Sequence, residues 1–177
     1  MARQSNHQRR LASLLILLGM LACQADPSSS ADPGATEAAL PDDGHTLSLH
    51  LASVTDQLAL VDLVYVRPTT QPGPRVAEIM IGYDSASLVW LGAESLAAAE
   101  AANKQVVVQD QGGQLRVVLF AADNTTRLDS GPLTRLQFQR RALTPATLSF
   151  AAHQPVFAPP EANAGVVLGP PLVIEGG

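Results

Sequence analysis

The side chains best suited to metal binding or nucleophilic catalysis are few in this sequence and lie far apart. His45, His50 and His153 have no second potential ligand two to four residues further on, the spacing at which one strand or helix presents two ligands together. The motifs GxGxxG, GxxxxGK(S/T), HExxH and GxSxG are absent, and the carboxylates occur singly except at Asp42 and Asp43. The sequence therefore predicts no catalytic residue, no metal site and no cofactor, and a protein that is not an enzyme.

The single cysteine, Cys23, is the one residue whose position predicts a specific chemistry. It follows a basic start, Met1–Arg10, and an apolar run, Leu11–Ala22, which together are typical of a secretory signal. The residues Met20, Leu21 and Ala22 before Cys23 resemble the bacterial lipobox. This resemblance implies that residues 1–22 are removed and that the Cys23 thiol receives a diacylglyceryl group. Acyl chains then hold the protein on a membrane.

Two observations bear on where such a lipoprotein would reside. The apolar run has about a dozen residues, whereas a spanning helix needs about 20, which favours a cleaved signal. The alternative is an N-terminal anchor that stays uncut. Gln24 is not the aspartate that signals inner-membrane retention in some Gram-negative bacteria. The expected location is the cell envelope, on the outer membrane or cell surface rather than the inner membrane.

The segment from residue 23 to 45 separates the predicted lipid from the rest of the chain. It is rich in Ala, Asp, Pro, Ser and Gly and has almost nothing to bury, which favours a flexible tether. Loss of three arginines with residues 1–22 changes 11 Lys and Arg to 8, against 16 Asp and Glu. This acidic balance argues against a nucleic-acid partner, which requires a basic surface.

Residues 46–177 have the pattern of an all-β domain. Short segments rich in Val, Leu, Ile and Thr alternate with turns such as Gln71–Pro74 and Asp129–Pro132, which predicts an antiparallel β-sandwich of jelly-roll type with about nine strands. The predicted strands are Thr46–Ala52, Gln57–Arg67, Arg75–Tyr83, Ser87–Leu91, Gln105–Gln109, Leu115–Ala121, Leu133–Arg141, Ala146–Ala152 and Val166–Ile174. One short helix is expected within the alanine-rich segment Glu94–Lys104. Asp110–Gly113 should close a hairpin.

Four segments of this domain resemble the cohesin domain, the β-sandwich that receives dockerin modules in cellulosome scaffoldins. They are Val76–Leu88, Gly113–Asp123, Asp129–Gln139 and Thr147–Ala158, and their order and spacing agree with the family across about 120 residues. The resemblance implies a cohesin-like fold for residues 46–177. It also implies a non-catalytic protein that binds a dockerin-like partner on one face of a sheet.

Alternation along two strands predicts which side chains face the core. Ala77, Ile79, Ile81 and Tyr83 form the expected core set of the first strand, whereas both sets of Leu115–Ala121 are apolar, so one set needs a further cover. The resemblance places Glu78 where cohesins contact their partner. The interface that follows from it contains Glu78, Met80, Val117, Leu119 and Ala121, with Asp123 at its rim.

Three alternatives remain open at this stage. A loop or the alanine-rich segment could cover the second apolar set instead of a partner. A carbohydrate-binding module for polysaccharides would need a row of exposed aromatic rings, yet the chain has four Phe, two Tyr and one Trp, and Trp90 is expected in the core. The third alternative is a structural envelope lipoprotein without a dedicated ligand.

Overall fold

The computed structural model describes residues 44–123, 125–152, 155–160 and 165–176. The predicted signal peptide, the lipidation site Cys23, all but the last two residues of the predicted tether, and His153 lie outside these residues. Within the described ranges, no helix is both long enough and apolar enough to cross a membrane.

The described residues form eleven strands and one short helix. The strands are β1 (Thr46–Val54), β2 (Leu58–Val66), β3 (Val76–Tyr83), β4 (Leu88–Ser95), β5 (Gln105–Asp110), β6 (Gln114–Phe120), β7 (Gly131–Arg140), β8 (Ala146–Phe150), β9 (Val156–Ala158), β10 (Val167–Leu168) and β11 (Leu172–Ile174), and the helix is α1 (Ala97–Ala101). The prediction of an all-β sandwich with one short helix is confirmed.

The strands build two sheets that share one core. The five-stranded sheet has the order β10-β1-β2-β7-β4, and the six-stranded sheet has the order β11-β8-β3-β6-β5 with β9 added beside β3. Neighbouring strands are antiparallel except β1 and β10, which are parallel. β3 pairs with β6 along one side, and along the other side with β8 near its end and β9 near its start.

The core lies between the sheets because the inward side chains of each strand alternate with outward ones. Ala77, Ile79 and Ile81 of β3 are fully buried, as predicted. Tyr83 is half-buried and packs on Phe138 of β7, with ring centroids 5.3 Å apart. Trp90 is half-buried and packs against the same core, which agrees with the expectation that it is a core residue.

The predicted hairpin at Asp110–Gly113 joins β5 to β6. Gln111 donates a backbone hydrogen bond to the carbonyl of Gln114 at 2.8 Å. Gly112 and Gly113 have φ values of 77° and 96°, which only glycine adopts without strain. The two flanking strands then pair from Gln105 with Phe120 to Asp110 with Leu115.

Three elements differ from their predicted bounds. The predicted strand Val166–Ile174 is two strands, because two prolines at 170 and 171 lack the N–H donors a ladder needs, and the segment passes from β1 to β8. β9 is an additional strand of only three residues, too short for alternation to reveal. The helix is shorter than Glu94–Lys104, because Glu94 and Ser95 continue β4 beside β7.

Candidate functional site

One surface of the six-stranded sheet has the properties of an interface. Its outward side chains are mainly aliphatic and come from four adjacent strands, and we call this surface the apolar face. Its members are Val76, Glu78 and Met80 of β3, Val107 of β5, Arg116, Val118 and Phe120 of β6, and Val156 of β9. Val156 and Val107 are 59% and 48% exposed, so apolar surface remains in contact with water here.

The strand register sets these side chains side by side. Val107 lies opposite Val118, Val118 lies opposite Glu78, and Glu78 lies opposite Val156. Side chains at paired positions of an antiparallel sheet point to the same side and contact each other. The row therefore crosses four strands as one contiguous patch.

An ion pair lies in the middle of the apolar face. Arg116 donates from Nε to Oε1 of Glu78 at 2.8 Å and from Nη2 to Oε2 at 3.0 Å. The hydrogen bonds and charge of Arg116 hold the pKa of Glu78 below its usual value, and Glu78 in turn raises the pKa of Arg116. Because the bidentate contact occupies both carboxylate oxygens, Glu78 is neutralised within its own sheet.

The structure places two of the six predicted interface residues on the apolar face. Glu78 and Met80 point outward from β3 and are half-buried. Asp123 lies exposed shortly after β6, and its carboxylate accepts hydrogen bonds from the Thr125 amide at 3.3 Å and hydroxyl at 3.0 Å. The role of Asp123 at the rim stays a prediction.

The prediction that Val117, Leu119 and Ala121 line the exposed face is wrong. Val117 and Leu119 are fully buried and Ala121 is 6% exposed. The register explains this result, because Val117 and Leu119 lie opposite Ile79 and Ala77, which point into the core. These three side chains are therefore buried and offer no surface to a partner.

The outward set of β6 is the one that sequence reasoning missed. Arg116, Val118 and Phe120 alternate with the buried set, and Val118 and Phe120 are as apolar as the residues that fill the core. The only distinguishing signal was the charge of Arg116, since an unpaired guanidinium is almost never fully buried. Val156 carried no signal, because it lies in a three-residue strand.

A buried lysine fixes the segment that follows β6. Lys104 is 5% exposed, and its Nζ donates to the carbonyls of Arg75 and Thr126 at 2.7 Å each. Burial lowers the pKa of Lys104, and the negative charge of Asp123 partly opposes this shift. The contact joins the start of β3 to the segment that follows β6.

Reactive groups are sparse in the described part of the chain. No group of three or more His, Cys, Asp and Glu there could hold a metal ion. His45 is a core histidine, because it is fully buried and hydrogen-bonded through Nδ1 to the Tyr65 hydroxyl at 2.6 Å. His50 bonds Ser48 at an exposed position on the other sheet. The apolar face itself offers contact surface and one neutralised ion pair.

Solved structures of cohesins resemble this fold. The sixth cohesin of scaffoldin B from Acetivibrio cellulolyticus, solved in complex with a dockerin mutant, superposes with a TM-score of 0.60 at 15% identity, covering 76% of this chain and 99% of that one. A type II cohesin domain from the same organism gives 0.57 at 11% identity, over 74% and 95%. A cohesin module from a Clostridium perfringens family 33 glycoside hydrolase gives 0.54 at 9% identity, over 75% and 94%.

Sequence comparison adds no closer relationship. No protein-family model and no curated protein matches this chain. The structural likeness nevertheless spans nearly the whole length of the three cohesins named above. The described domain therefore has the cohesin fold, as its sequence segments indicated.

Proposed function

We propose that this chain is a non-catalytic binding module that docks a partner protein on the apolar face. The observation that carries the proposal is the contiguous patch of outward Val107, Val118, Phe120 and Val156 around the Glu78–Arg116 pair. Protein interfaces have desolvated apolar centres in which aromatic rings and arginines dominate the binding energy. Phe120 and Arg116 are residues of those two kinds.

The ion pair suits a surface that becomes covered. An isolated charge would lose its water at a large cost on docking, whereas Glu78 and Arg116 already satisfy each other through two hydrogen bonds. A partner can therefore cover the pair without supplying a counter-charge. This favours a partner surface that is itself apolar and uncharged at its centre.

The partner we propose is a protein that carries a dockerin module. Support comes from the fold, since the Acetivibrio cellulolyticus cohesin described above was solved with a dockerin. A Clostridium thermocellum cohesin solved with a dockerin supports the same proposal, with a TM-score of 0.53 at 12% identity over 71% of this chain and 89% of that one. Polysaccharide is less well supported, because Phe120 is the one aromatic ring among the described residues of the apolar face.

Membrane attachment through Cys23 completes the proposal. A diacylglyceryl thioether on Cys23 would hold the module at the cell envelope, and residues 23–45 would serve as its tether. Mass spectrometry of the mature N-terminus tests this directly. We expect a lipid-modified peptide that begins at Cys23, and a Cys23→Ser variant that stays uncut. An unmodified Cys23, or a mature chain that retains residues 1–22, would contradict the anchor.

Affinity capture from an extract of the producing organism tests the docking face. The bait is the full chain with Cys23→Ser, compared with the same chain carrying Phe120→Asp on the apolar face. Gln137→Asp, on the outer face of the other sheet, is the matched control. We expect the first bait and the control to retain a dockerin-bearing protein, and Phe120→Asp to lose at least about tenfold of it.

Two outcomes of this experiment would count against the proposal. Equal retention by the Phe120→Asp bait would show that the apolar face is not the contact. Failure of every bait to retain a dockerin-bearing protein would remove the proposed partner. Thermal unfolding of each bait establishes that the substituted domains are folded.

A further inference from the structure

Strand β5 ends the six-stranded sheet with an edge that pairs with no described strand. The Gln111 to Gln114 hydrogen bond sets the phase of the β5–β6 ladder. Hydrogen-bonded and non-hydrogen-bonded pairs alternate along an antiparallel ladder, so Gln105, Val107 and Gln109 bond to β6. Val106 and Val108 consequently direct their N–H and C=O groups outward, away from the sheet.

The other described edges carry features that prevent strand addition. β4 has a bulge between Trp90 and Gly92, and β9, β10 and β11 have only two or three residues each. β1 extends beyond its two-residue pairing with β10, but its register is interrupted between Leu51 and Ser53. Short strands and bulges are the means by which proteins protect sheet edges. β5 has six residues in unbroken register and contains neither proline nor lysine, so its edge lacks this protection.

We propose that β5 pairs with β5 of a second copy of this chain, antiparallel and centred on Val107. In this register Val106 of one copy exchanges backbone hydrogen bonds with Val108 of the second copy. Val107 lies directly opposite Val107 of the second copy, and Gln105 lies opposite Gln109 of the second copy. Two valines and two amides are favourable cross-strand pairs.

The uncharged, self-complementary sequence of β5 selects a second copy as the occupant. From Gln105 to Gln109 the strand carries no charge, so two copies bring no like charges together there. At the ends of the register, Asp110 falls opposite Lys104 of the second copy. Each is held within its own copy, Lys104 by the carbonyls of Arg75 and Thr126 and Asp110 by the Tyr83 hydroxyl, so neither end brings like charges together. Elsewhere the domain is acidic, and like charges oppose other modes of self-association.

Pairing at β5 would extend the apolar face across two copies. Val107 is 48% exposed and stands beside Val118 on that face. Joining Val107 to Val107 of the second copy makes one row that runs from Glu78 of one copy to Glu78 of the other. The dimer leaves the apolar face open, so this inference is independent of the proposed docking function and can fail separately from it.

Sedimentation velocity of the full chain carrying Cys23→Ser tests the dimer. The chain is kept in dilute non-ionic detergent that solvates the N-terminal apolar run, at concentrations from about 5 to 500 μM, because such a small contact gives weak association. We expect a reversible dimer. Val107→Lys places two ammonium groups opposite each other and should raise the dissociation constant at least about 100-fold.

Val173→Lys is the matched control, because Val173 is an exposed valine at the opposite edge of the same sheet. It should leave the dissociation constant unchanged. Amide hydrogen exchange of the unsubstituted strand gives a second measurement that needs no variant. Protection of the Val106 and Val108 amides should increase with protein concentration, whereas Val107 should be protected at every concentration by its bond to β6.

Several results would overturn the dimer. A chain that stays monomeric throughout the concentration range would do so, as would a dimer that Val107→Lys leaves intact. Exchange of Val106 and Val108 that is independent of concentration would do the same. A dimer weakened equally by Val173→Lys would place the contact away from β5.

Discussion

The outer faces of the two sheets differ in which strands supply their apolar side chains. On the five-stranded sheet they come from β2, as Leu58, Leu60, Val64 and Val66, and from β4, where Leu91 is 53% exposed. The outward Arg135, Gln137 and Gln139 of β7 separate these two groups. On the six-stranded sheet they come from four adjacent strands and form the apolar face. Contiguity therefore distinguishes the two surfaces more than the number of apolar residues does.

The distribution of charged side chains also distinguishes the two outer faces. Across the five-stranded sheet, His50, Asp62, Arg135 and Glu94 form one row of paired positions. Arg135 donates from Nε and Nη2 to Asp62 at 2.7 and 3.0 Å, and from Nη1 to Glu94 at 3.4 Å. A partner would have to dehydrate this whole row, whereas on the apolar face it meets a single bidentate pair. The comparison favours docking on the six-stranded sheet.

The largest predicted effect is the difference in stability between substitutions of a buried and of an outward side chain of β6. Leu119→Ala removes a fully buried side chain and should lower the free energy of unfolding by about 2–5 kcal/mol. Val118→Ala, one residue earlier on the apolar face, should cost less than about 1 kcal/mol. Urea unfolding measures both. Equal costs would contradict the register that places Leu119 inside and Val118 outside.

Strand β6 also shows which features of the fold could be predicted from the sequence alone. Alternation correctly predicted the core set of β3, because its other set contains Glu78. On β6 the outward set combines Arg116 with the apolar Val118 and Phe120, so the period of two alone did not decide which set faces inward. The pairing of Leu119 with Ala77 decides it, because Ala77 points into the core. The resemblance did not indicate which of the two sets of β6 faces outward.

Other limits of the sequence have similar physical causes. The all-β sandwich and the β5–β6 hairpin were predictable, since alternation and positive-φ glycines act locally. The parallel pairing of β10 with β1, the addition of β9 to β3, and the burial of Lys104 between two carbonyls depend on contacts distant in sequence. No local pattern records such contacts.

A smaller effect compares the ion pairs of the two faces. The Asp62 and Arg135 side chains are 18% and 31% exposed, and those of Glu78 and Arg116 are 34% and 42% exposed. Arg135→Ala should therefore lower the free energy of unfolding by about 1–2 kcal/mol, and Arg116→Ala by less than about 1 kcal/mol. Thermal unfolding at two salt concentrations measures this difference. A greater loss for Arg116→Ala would reverse the electrostatic comparison.

The smallest predicted effect is a pH dependence of stability that arises from His45. This residue precedes β1, and its ring packs on that of Phe157 of β9 with ring centroids 5.7 Å apart. Burial lowers the pKa of His45 from its usual 6.5; the Gln71 hydrogen bond raises it and the Arg67 charge lowers it further. The unfolded chain then binds the proton more readily, so the free energy of unfolding should fall as pH drops below about 6.5.

Urea unfolding between pH 8 and pH 5 measures this slope for the full chain. His45→Gln should reduce the loss of stability in that range, because it removes the group whose protonation folding disfavours. His50→Gln is the matched control, because His50 is exposed and lies in the row with Asp62, Arg135 and Glu94. This variant should lose stability over the same range as the unsubstituted chain does. A slope that His45→Gln leaves unchanged would assign the pH dependence to another group.

Photocrosslinking tests the claim that the apolar face is the docking surface most directly. A photoreactive amino acid replaces Val118 on the apolar face or Leu60 at the centre of the other outer face, and each chain is irradiated in extract of the producing organism. We expect the crosslinker at residue 118 to capture a dockerin-bearing protein and the crosslinker at residue 60 not to capture it. Capture of the same protein from residue 60 alone, or equally from both positions, would contradict this claim.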